Sequence, residues 1–245
     1  MKRITTSLLA VALLAGATAA SAQTTFRLGL RGGANRALTT VDGASNFING
    51  INLFYSADKL PVYAWQAGAV LEMSFGKLAL QPALVFSQKG EKLHTYYSSG
   101  DYALYYTETT STNRYNWLEL PLNVVYTLHG DHGLQAFAGP YVALAVGGNQ
   151  QGTVYRTISV RTAPQDFDTQ VSYGPNTNNR RLDAGVNFGV GYRQGPLQVQ
   201  LGYALGLRNL HQDGGTFYYD YGHNFNADAA YNRVAQLTGT YFFSL

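Results

Sequence analysis

The feature that most constrains the fold of this chain is a two-residue alternation of apolar and polar side chains. Every second position from Leu197 to Leu207 is apolar, and the residues between them are glutamine, glycine or alanine. The preceding segment repeats the pattern from Leu182 to Tyr192. A period of two places one set of side chains on each face of a β-strand. Strands of about ten residues with a small, polar or charged second face are typical of a cylinder standing in lipid, since soluble strands are usually about five or six residues long.

The N-terminus has the features of a secretory signal. Two cationic residues precede a short apolar run from Leu8 to Ala20, and Ala20-Ser21-Ala22 supplies small residues for cleavage. The run is shorter than the roughly 20 residues that a membrane-spanning helix needs. We therefore expect residues 1–22 to be a signal peptide and residues 23–245 to form one barrel domain.

The composition excludes several classes of protein. The chain has no cysteine, so neither a lipid-anchored lipoprotein nor a disulfide framework is expected. Removal of the signal leaves 15 Lys+Arg (17 − 2) against 14 Asp+Glu. The mature chain is thus nearly neutral, and its charge does not point to a nucleic-acid partner. No later segment is apolar for 18 consecutive residues, so we expect no transmembrane helix.

Eight segments carry the alternation, and their connections differ in length. We predict strands over residues 26–36, 62–76, 77–90, 115–128, 134–148, 182–194, 197–209 and 232–243. Tight turn signals join them at Gly76-Lys77, His129–Gly133 and Gly195-Pro196. The connections near 37–61, 91–114, 149–181 and 210–231 are long and polar. Short turns that face the periplasm and long external loops alternate in this way in outer-membrane barrels, so the predicted fold is an all-β, closed, antiparallel eight-stranded transmembrane β-barrel.

This register turns eight charged side chains toward the barrel interior. They are Arg27, Arg31, Glu72, Lys89, Glu119, Asp183, Arg193 and Arg208. Eight strands leave an interior that side chains just fill, and buried charges must be paired. We therefore expect a network of salt bridges and hydrogen bonds that plugs the barrel. The alternative is a narrow polar path for ions or small solutes.

Five residues fit the predicted strands poorly. Phe137 and Tyr141 fall on the inward side of the fifth strand, although they are large and aromatic. Pro82, Pro121 and Pro140 lie inside strands, where proline removes a donor from the ladder. Because a closed barrel has no edge strand, each proline is expected at a bulge or beside an unpaired position.

Tyrosines concentrate in two of the predicted external loops. The candidate recognition residues are Tyr96, Tyr97, Tyr102, Tyr105 and Tyr106 in one loop, and Tyr218, Tyr219 and Tyr221 in another. Tyrosine combines rigid contact area with a hydroxyl group, which suits binding of a partner surface or a glycan. The alternative is that these side chains form an interface girdle or pack on one another in continued hairpins.

Catalytic and metal-binding patterns are weak, so we expect no catalytic residue, no metal and no cofactor. Loop residues of the right types occur, but without a recognisable spacing. The sets considered are His94 with Ser98, Ser99 and Glu91, His211 or His223 with Asp213 and Asp220, and the acidic cluster of Asp213, Asp220, His223 and Asp228. A lipid-modifying enzyme with its site at the outer rim remains a second alternative to a non-enzymatic role.

Five motifs resemble, in order and spacing, those of the PorT-type outer-membrane β-barrel family of Gram-negative bacteria. They are Gly32-Gly33-Ala34-Asn35, Ser87-Gln88-Lys89-Gly90, Trp117-Leu118-Glu119-Leu120-Pro121-Leu122, Ala138-Gly139-Pro140-Tyr141 and Tyr203-Ala204-Leu205-Gly206-Leu207. The resemblance covers essentially the whole mature chain. It implies a small barrel of OmpA/OmpX-like size in the cell outer membrane, in contact with lipid and lipopolysaccharide. The founding member is tied to a protein-secretion machine, so an accessory role in secretion is also implied.

Overall fold

The computed structural model describes residues 24–42, 53–99, 105–158, 160–161, 163–174, 177, 179–211, 216–218, 224–226 and 229–244. The signal-peptide prediction for residues 1–22 lies outside this part of the chain. Eight long strands form the framework: β1 (Thr25–Asp42), β2 (Leu53–Phe75), β3 (Leu78–Ser99), β4 (Tyr105–Thr127), β5 (His132–Ile158), β6 (Leu182–Gln194), β7 (Leu197–Gly206) and β8 (Ala229–Ser244). Short strands occur at Val160–Arg161, Gln165–Gln170, Thr216–Tyr218 and Asn224–Asn226. Among the described residues, no helix is long and apolar enough to cross a membrane.

The eight strands form a closed antiparallel ring, which confirms the predicted fold class. Each strand pairs with the next along the chain, from β1–β2 to β7–β8. The last strand, β8, returns to pair with β1, so that Arg31 lies between Thr240 on β8 and Gly68 on β2. Within the apolar band, closure pairs both sides of each of the eight strands, which removes the exposed edges that favour aggregation of all-β proteins.

The burial of the side chains is the reverse of that in a soluble protein. Leu30, Leu134 and Leu201 on the outer face are 61%, 66% and 59% exposed. Charged Glu72 and Lys89 on the inner face are both 0% exposed. The alternation in the sequence therefore corresponds to an apolar outer band and a polar interior, the arrangement of a barrel whose outside is met by hydrocarbon.

Three tight turns close one end of the barrel, which we call the short-turn end. They connect Phe75 to Leu78, Thr127 to His132 and Gln194 to Leu197, as predicted. Gly76 and Gly195 have φ values of 66° and 55°, a left-handed conformation that side-chain-bearing residues rarely adopt. The opposite end carries the longer connections, and we call it the long-loop end.

The strands extend much further toward the long-loop end than the sequence indicated. Residues 53–61, 91–99, 105–114 and 149–158, predicted to lie in loops, belong to β2, β3, β4 and β5. They form a four-stranded wall above the apolar band, joined on one side by the strand Gln165–Gln170. Conversely, β7 ends at Gly206, three residues earlier than predicted.

Two one-residue register shifts explain where the predicted strands stopped. One lies between Pro61 and Gln66 on β2, and the other between Asn116 and Trp117 of β4, where β5 contributes the extra residue. A β-bulge of this kind exchanges the two faces of the bulged strand. Above the first bulge Lys59 faces inward, whereas below it the inward residues are Gln66 and Glu72.

The three awkward prolines all interrupt the ladder to the preceding strand. Pairing is absent over 71–72 opposite 81–82, over 83–84 opposite 120–121, and over 122–123 opposite 139–140. The register is the same on both sides of each gap, so none of these prolines needs a bulge. Each of these prolines lacks a backbone N–H, and each lies where two residues of its strand are unpaired with the preceding strand. The three gaps occur on consecutive strands, at Pro82, Pro121 and Pro140.

The inward aromatic residues of β5 fill space left by glycines. A Cβ atom at Gly202 or Gly189 would lie 2.8 Å from the Phe137 ring, and one at Gly185 would lie 2.7 Å from the Tyr141 ring. Small residues on β6 and β7 therefore accommodate the large ones on β5. The two inward aromatic side chains, which fit the polar pattern poorly, are therefore explained by close packing against these glycines.

Candidate functional site

The barrel interior contains two charged clusters, and the first lies near the short-turn end. In this lower cluster, Glu72 is fully buried and contacts two arginines. Arg193 Nη1 donates to Glu72 Oε2, and Arg27 Nη1 lies 3.3 Å from Oε1. The Arg193 guanidinium also lies 4.7 Å from the centre of the Phe242 ring. The Glu72 carboxylate therefore holds one cation from the neighbouring strand β1 and one from β6, across the lumen.

A chain of glutamines extends the lower cluster across the barrel. Gln81 donates to Glu72 at 2.8 Å and to Gln198 at 3.4 Å. Gln198 donates to Gln135 at 2.8 Å, and Gln135 donates to Thr127 at 2.8 Å. These residues lie on β2, β3, β7, β5 and β4, so the hydrogen bonds connect most of the circumference. These glutamines lie on the predicted inward faces, but a prediction restricted to charged inward residues does not include them.

The upper cluster centres on Lys89, whose side chain is fully buried. Lys89 Nζ lies 2.8 Å from Glu119 Oε1 and 3.9 Å from Asp183 Oδ2. The Tyr141 ring centre is 5.0 Å from the same nitrogen, and the Tyr141 hydroxyl donates to Asp183 at 3.0 Å. Asn232 also donates to Asp183, at 2.8 Å. Two carboxylates and an aromatic face thus surround one ammonium group.

The structure brings together seven of the eight predicted interior charges and excludes one. Arg31 lies between the clusters and donates to Thr240 and Gln200, at 3.2 Å in each case. Arg208 was assigned wrongly: it lies beyond the end of β7 and is exposed. The alternation was extended through Arg208 although its strand ends two residues earlier, at Gly206.

Glu91 is a buried carboxylate that the sequence analysis placed in an external loop. It is 1% exposed and accepts hydrogen bonds from Asn113 at 2.8 Å and from the Tyr115 hydroxyl at 2.9 Å. Gly90, just before it, has a φ of 152°, and a Cβ atom there would lie 1.9 Å from the Asn113 carbonyl oxygen. Glycine at position 90 therefore allows β3 to continue from Lys89 to Glu91 where the backbone of β4 approaches very closely.

The predicted tyrosine surface is described only in part. Tyr96 and Tyr106 stack with their ring centres 5.8 Å apart on neighbouring strands of the wall. The side chains of Tyr97, Tyr105 and Tyr218 lie outside the described part of the structure, as do residues Tyr102, Tyr219 and Tyr221. The described pair favours the alternative of continued hairpins with self-packed tyrosines.

The set of His94, Ser98, Ser99 and Glu91 is not assembled. His94 Nε2 lies 2.9 Å from Glu108 Oε1 on the outward face of the wall, whereas Glu91 points inward. The serine side chains lie outside the described residues, as do Asp213, Asp220, His223 and Asp228. His211 is buried near the long-loop end rather than exposed in a loop. Among the residues that are described, no group of three or more His, Asp or Glu is placed to hold a metal ion.

A cavity lies at the long-loop end, above the upper cluster. It is lined by Glu91 and Trp117 together with Lys59 and Tyr173. Burial lowers the pKa of Lys59, which lies above the apolar band, and the nearby Glu91 carboxylate opposes this shift. Burial also raises the pKa of the Tyr173 hydroxyl. The lining of the cavity thus combines charged and polar side chains with three aromatic rings, those of Tyr115, Trp117 and Tyr173.

Comparisons with known proteins agree with this architecture. A family model described as the outer membrane protein beta-barrel domain matches residues 21–212. A search of curated proteins found no match.

Three solved barrels are similar to the chain. Ail, the attachment invasion locus protein of Yersinia pestis, crystallised with the heparin analogue sucrose octasulfate, is 8% identical, with 89% of this chain and 99% of that chain covered and a TM-score of 0.40. Neisserial surface protein A is 10% identical, with 88% and 97% covered and a TM-score of 0.36. OprG from Pseudomonas aeruginosa is 10% identical, with 91% and 98% covered and a TM-score of 0.38. Because the family model matches well over half of the 245 residues, this chain belongs to the outer membrane protein beta-barrel domain family and is an integral protein of the outer membrane.

Proposed function

We propose that this protein is a non-conducting, non-enzymatic barrel that displays a recognition surface at the long-loop end. The observation that carries the proposal is the four-stranded wall of β2–β5, which continues about ten residues above the apolar band while the lumen beneath it is filled. A rigid wall presents side chains with little loss of conformational entropy on binding, which is an advantage for recognition.

The packing of the lumen supports a plug rather than a channel. A cavity between the two clusters, lined by Arg31, Glu119 and Gln200 among others, encloses about 20 Å³. That volume holds about one water molecule. An ion crossing the barrel would have to break the Lys89–Glu119 contact or the contacts of Glu72.

The distribution of arginines supports contact with lipopolysaccharide at the long-loop end. Five arginines lie at or just above the upper edge of the apolar band, toward the outside: Arg36, Arg114, Arg181, Arg208 and Arg233. Exposed aromatic side chains occur at both rims, with Phe26, Tyr126 and Tyr241 at the short-turn end and Tyr63 beside Arg36 at the long-loop end. Guanidinium groups bind phosphate in a bidentate manner, so this belt suits the phosphorylated headgroups of an outer leaflet. On this proposal the long-loop end, and with it the wall, lies outside the cell.

We further infer that the chain belongs to the PorT-type group, with an accessory role in protein secretion. The motifs that suggested the group occupy defined places in the barrel. Lys89 and Glu119 form the upper cluster, Gly90 permits the close approach of β4, and Pro121 and Pro140 lie at the ladder gaps. The motifs therefore specify the lumen and ladder of this barrel, which supports a shared architecture more directly than a shared partner.

Photo-crosslinking in living cells tests the recognition role. A photoreactive amino acid replaces Thr110, an exposed residue on the wall, and in a matched strain it replaces Val190 in the apolar band. We expect Thr110 to capture surface saccharide or a protein, and Val190 to capture lipid alone. Identical lipid-only products at both positions would contradict recognition and favour a purely membrane-stabilising role. Capture of a secretion component at Thr110 would support the accessory role.

Conductance measurements separate the plug from the channel. The purified protein in planar bilayers is expected to show no unitary current steps, because both charged clusters cross the lumen. A variant carrying Lys89→Ala and Glu119→Ala, which removes the central ion pair, is expected to show small steps. Regular steps from the unmodified protein would overturn the proposal of a closed lumen.

A further inference from the structure

The cavity at the long-loop end has the dimensions of a small binding site. A volume of about 40 Å³ is open to the centres of water-sized molecules. This is room for about three waters. Its lining comes from β1 to β4, from the segment before β6, from the segment after β7 and from the start of β8. The cavity therefore occupies the upper mouth of the barrel.

Glu91 lines the cavity, and one of its two carboxylate oxygens is unpaired among the described residues. Oε1 accepts hydrogen bonds from Asn113 at 2.8 Å and from the Tyr115 hydroxyl at 2.9 Å. In the described part of the chain, Oε2 is buried and has no hydrogen-bond partner. Leaving a buried polar atom unsatisfied costs about 1–3 kcal/mol, and more for a charged group. A ligand that donates a hydrogen bond to this unsatisfied carboxylate oxygen would remove that cost.

Two further polar atoms of the cavity wall are unpaired within the described residues. Trp117 Nε1 is a buried donor on a side chain that is 2% exposed, and Thr39 Oγ1 is buried on a residue that is 7% exposed. The Trp117 ring also forms the floor of the cavity, because Lys89 Nζ lies below it, 5.9 Å from the ring centre. The Tyr173 ring meets Trp117 edge-on at 6.2 Å between centres. The cavity thus offers an acceptor, a donor and a hydroxyl beside two aromatic rings.

The charges of the lining argue against a simple cation as the ligand. Glu91 alone would attract an amine, and aromatic rings bind cations well. However, Lys59 and Arg180 also line the cavity, and a third positive charge would lie among them. An amine would also leave the Trp117 N–H without an acceptor. A neutral group that both donates and accepts satisfies Glu91 and Trp117 together.

We propose that this cavity binds the hydroxyl-bearing edge of a saccharide. One hydroxyl donates to Glu91 Oε2, an adjacent oxygen accepts from Trp117 Nε1, and Thr39 Oγ1 completes the set. The C–H groups that carry these hydroxyls contact the Trp117 and Tyr173 rings of the cavity wall. The volume admits two neighbouring hydroxyl groups and leaves the rest of the ring at the mouth. The inference rests on the recognition role proposed above and gives it a ligand class and a site.

Trp117 itself provides the readout of the test. The chain has two tryptophans, so Trp65→Phe leaves Trp117 as the sole reporter. The folded Trp65→Phe protein, in a detergent without a sugar headgroup, is titrated with glucose, galactose and N-acetylglucosamine. We expect a saturable change in Trp117 emission with at least one of them. Glu91→Gln is expected to raise the dissociation constant for that sugar at least tenfold, and Thr39→Val is expected to raise it several-fold.

Matched controls keep the result interpretable. Asp131→Asn is also an acid-to-amide change, but it lies in a turn at the opposite end and is expected to leave the titration unchanged. Heat-modifiable gel mobility verifies that each variant is folded. If Glu91→Gln fails to fold, Thr39→Val alone decides, and an unchanged affinity contradicts the site.

Two outcomes would overturn the inference. The first is a flat Trp117 signal with all three sugars at 100 mM. The second is saturation by ethylammonium but by no sugar. Neither outcome affects the crosslinking from Thr110, so the cavity and the recognition surface are tested separately.

Discussion

Replacing Glu72 with leucine is expected to lower the free energy of unfolding by about 3–5 kcal/mol, more than any other carboxylate substitution in the two lumen clusters. The substitution removes the carboxylate that holds Arg193 and Arg27 and leaves the Arg193 guanidinium buried without a counter-ion in its cluster. It also takes the acceptor from Gln81, the first member of the glutamine chain. The barrel thus loses an ion pair and the end of a hydrogen-bonded chain together.

The neighbouring cluster provides a graded comparison. Glu119→Leu removes one partner of Lys89, but Asp183 remains 3.9 Å from the same ammonium group and the Tyr141 ring remains beside it. We therefore expect Glu119→Leu to slow assembly and reduce heat resistance by less than Glu72→Leu does. Glu108→Gln disrupts only the exposed contact with His94, and such pairs contribute at most about 1 kcal/mol.

Urea unfolding in phosphocholine vesicles, followed by heat-modifiable mobility, measures all three variants on one scale. The expected order of stability loss is Glu72→Leu, then Glu119→Leu, then Glu108→Gln. A loss for Glu72→Leu no larger than that for Glu108→Gln would mean that the lumen is hydrated enough to screen its charges. The plugged lumen would then be untenable.

The sequence predicted the part of the fold that lies in the apolar band, because there a single rule decides every position. A side chain facing hydrocarbon must be apolar, and a side chain facing the packed lumen can be polar. From Leu182 to Tyr192 this leaves an uninterrupted alternation, and β6 follows it. Even the inward Phe137, an exception in the pattern, satisfies the rule once Gly189 and Gly202 are placed opposite it.

The rule ends at the upper edge of the band, where the prediction also failed. Outward residues of the wall such as Thr110 and Lys92 face water, so neither face is obliged to be apolar. The bulges near Pro61 and Trp117 then exchange the faces by one residue. Where the two faces of a strand differ little in polarity and a bulge exchanges them, the sequence shows no regular alternation and resembles that of a loop. For this reason the sequence of residues 91–99 and 105–114 predicts loops where the structure has strands.

The candidate site was harder to predict than the fold for a related reason. Pairing across a lumen depends on which strands face each other, and period-two patterns contain no such information. Glu91 and Trp117 are 26 residues apart in the sequence, and each fits an unremarkable polar or aromatic position. Their joint role at the cavity depends on the β2 bulge and on the gap-free pairing of β3 with β4 above Gly90. The carboxylate of Glu91 could be found only after the strand was shown to continue.

Introducing arginine at Leu201 is expected to destabilise the folded protein by about 2–4 kcal/mol, because Leu201 lies near the middle of the apolar band and faces outward. The matched position is Leu197, which faces the same way at the start of β7 beside the short turn, and is 55% exposed against 59% for Leu201. Leu197→Arg is expected to cost about 0–1 kcal/mol, as at a membrane interface. Because the exposed fraction of the leucine is nearly equal at the two sites, the difference between the two stability losses reports how deep each site lies in the hydrocarbon.

The measurement is the same urea titration in vesicles, with each variant also unfolded from detergent micelles. In vesicles the two arginines should differ by at least about 1 kcal/mol, since an outward arginine costs about 2–4 kcal/mol at the bilayer midplane and about 0–1 kcal/mol at the interface. In micelles, whose thickness adapts to the protein, the difference should shrink. Equal costs at Leu201 and Leu197 in vesicles would mean that the outer face of β7 does not lie in a bilayer. The assignment of the lumen as a closed interior, and of the wall as an external surface, depends on that immersion, because hydrocarbon around the apolar band forces the charged side chains within that band to face inward.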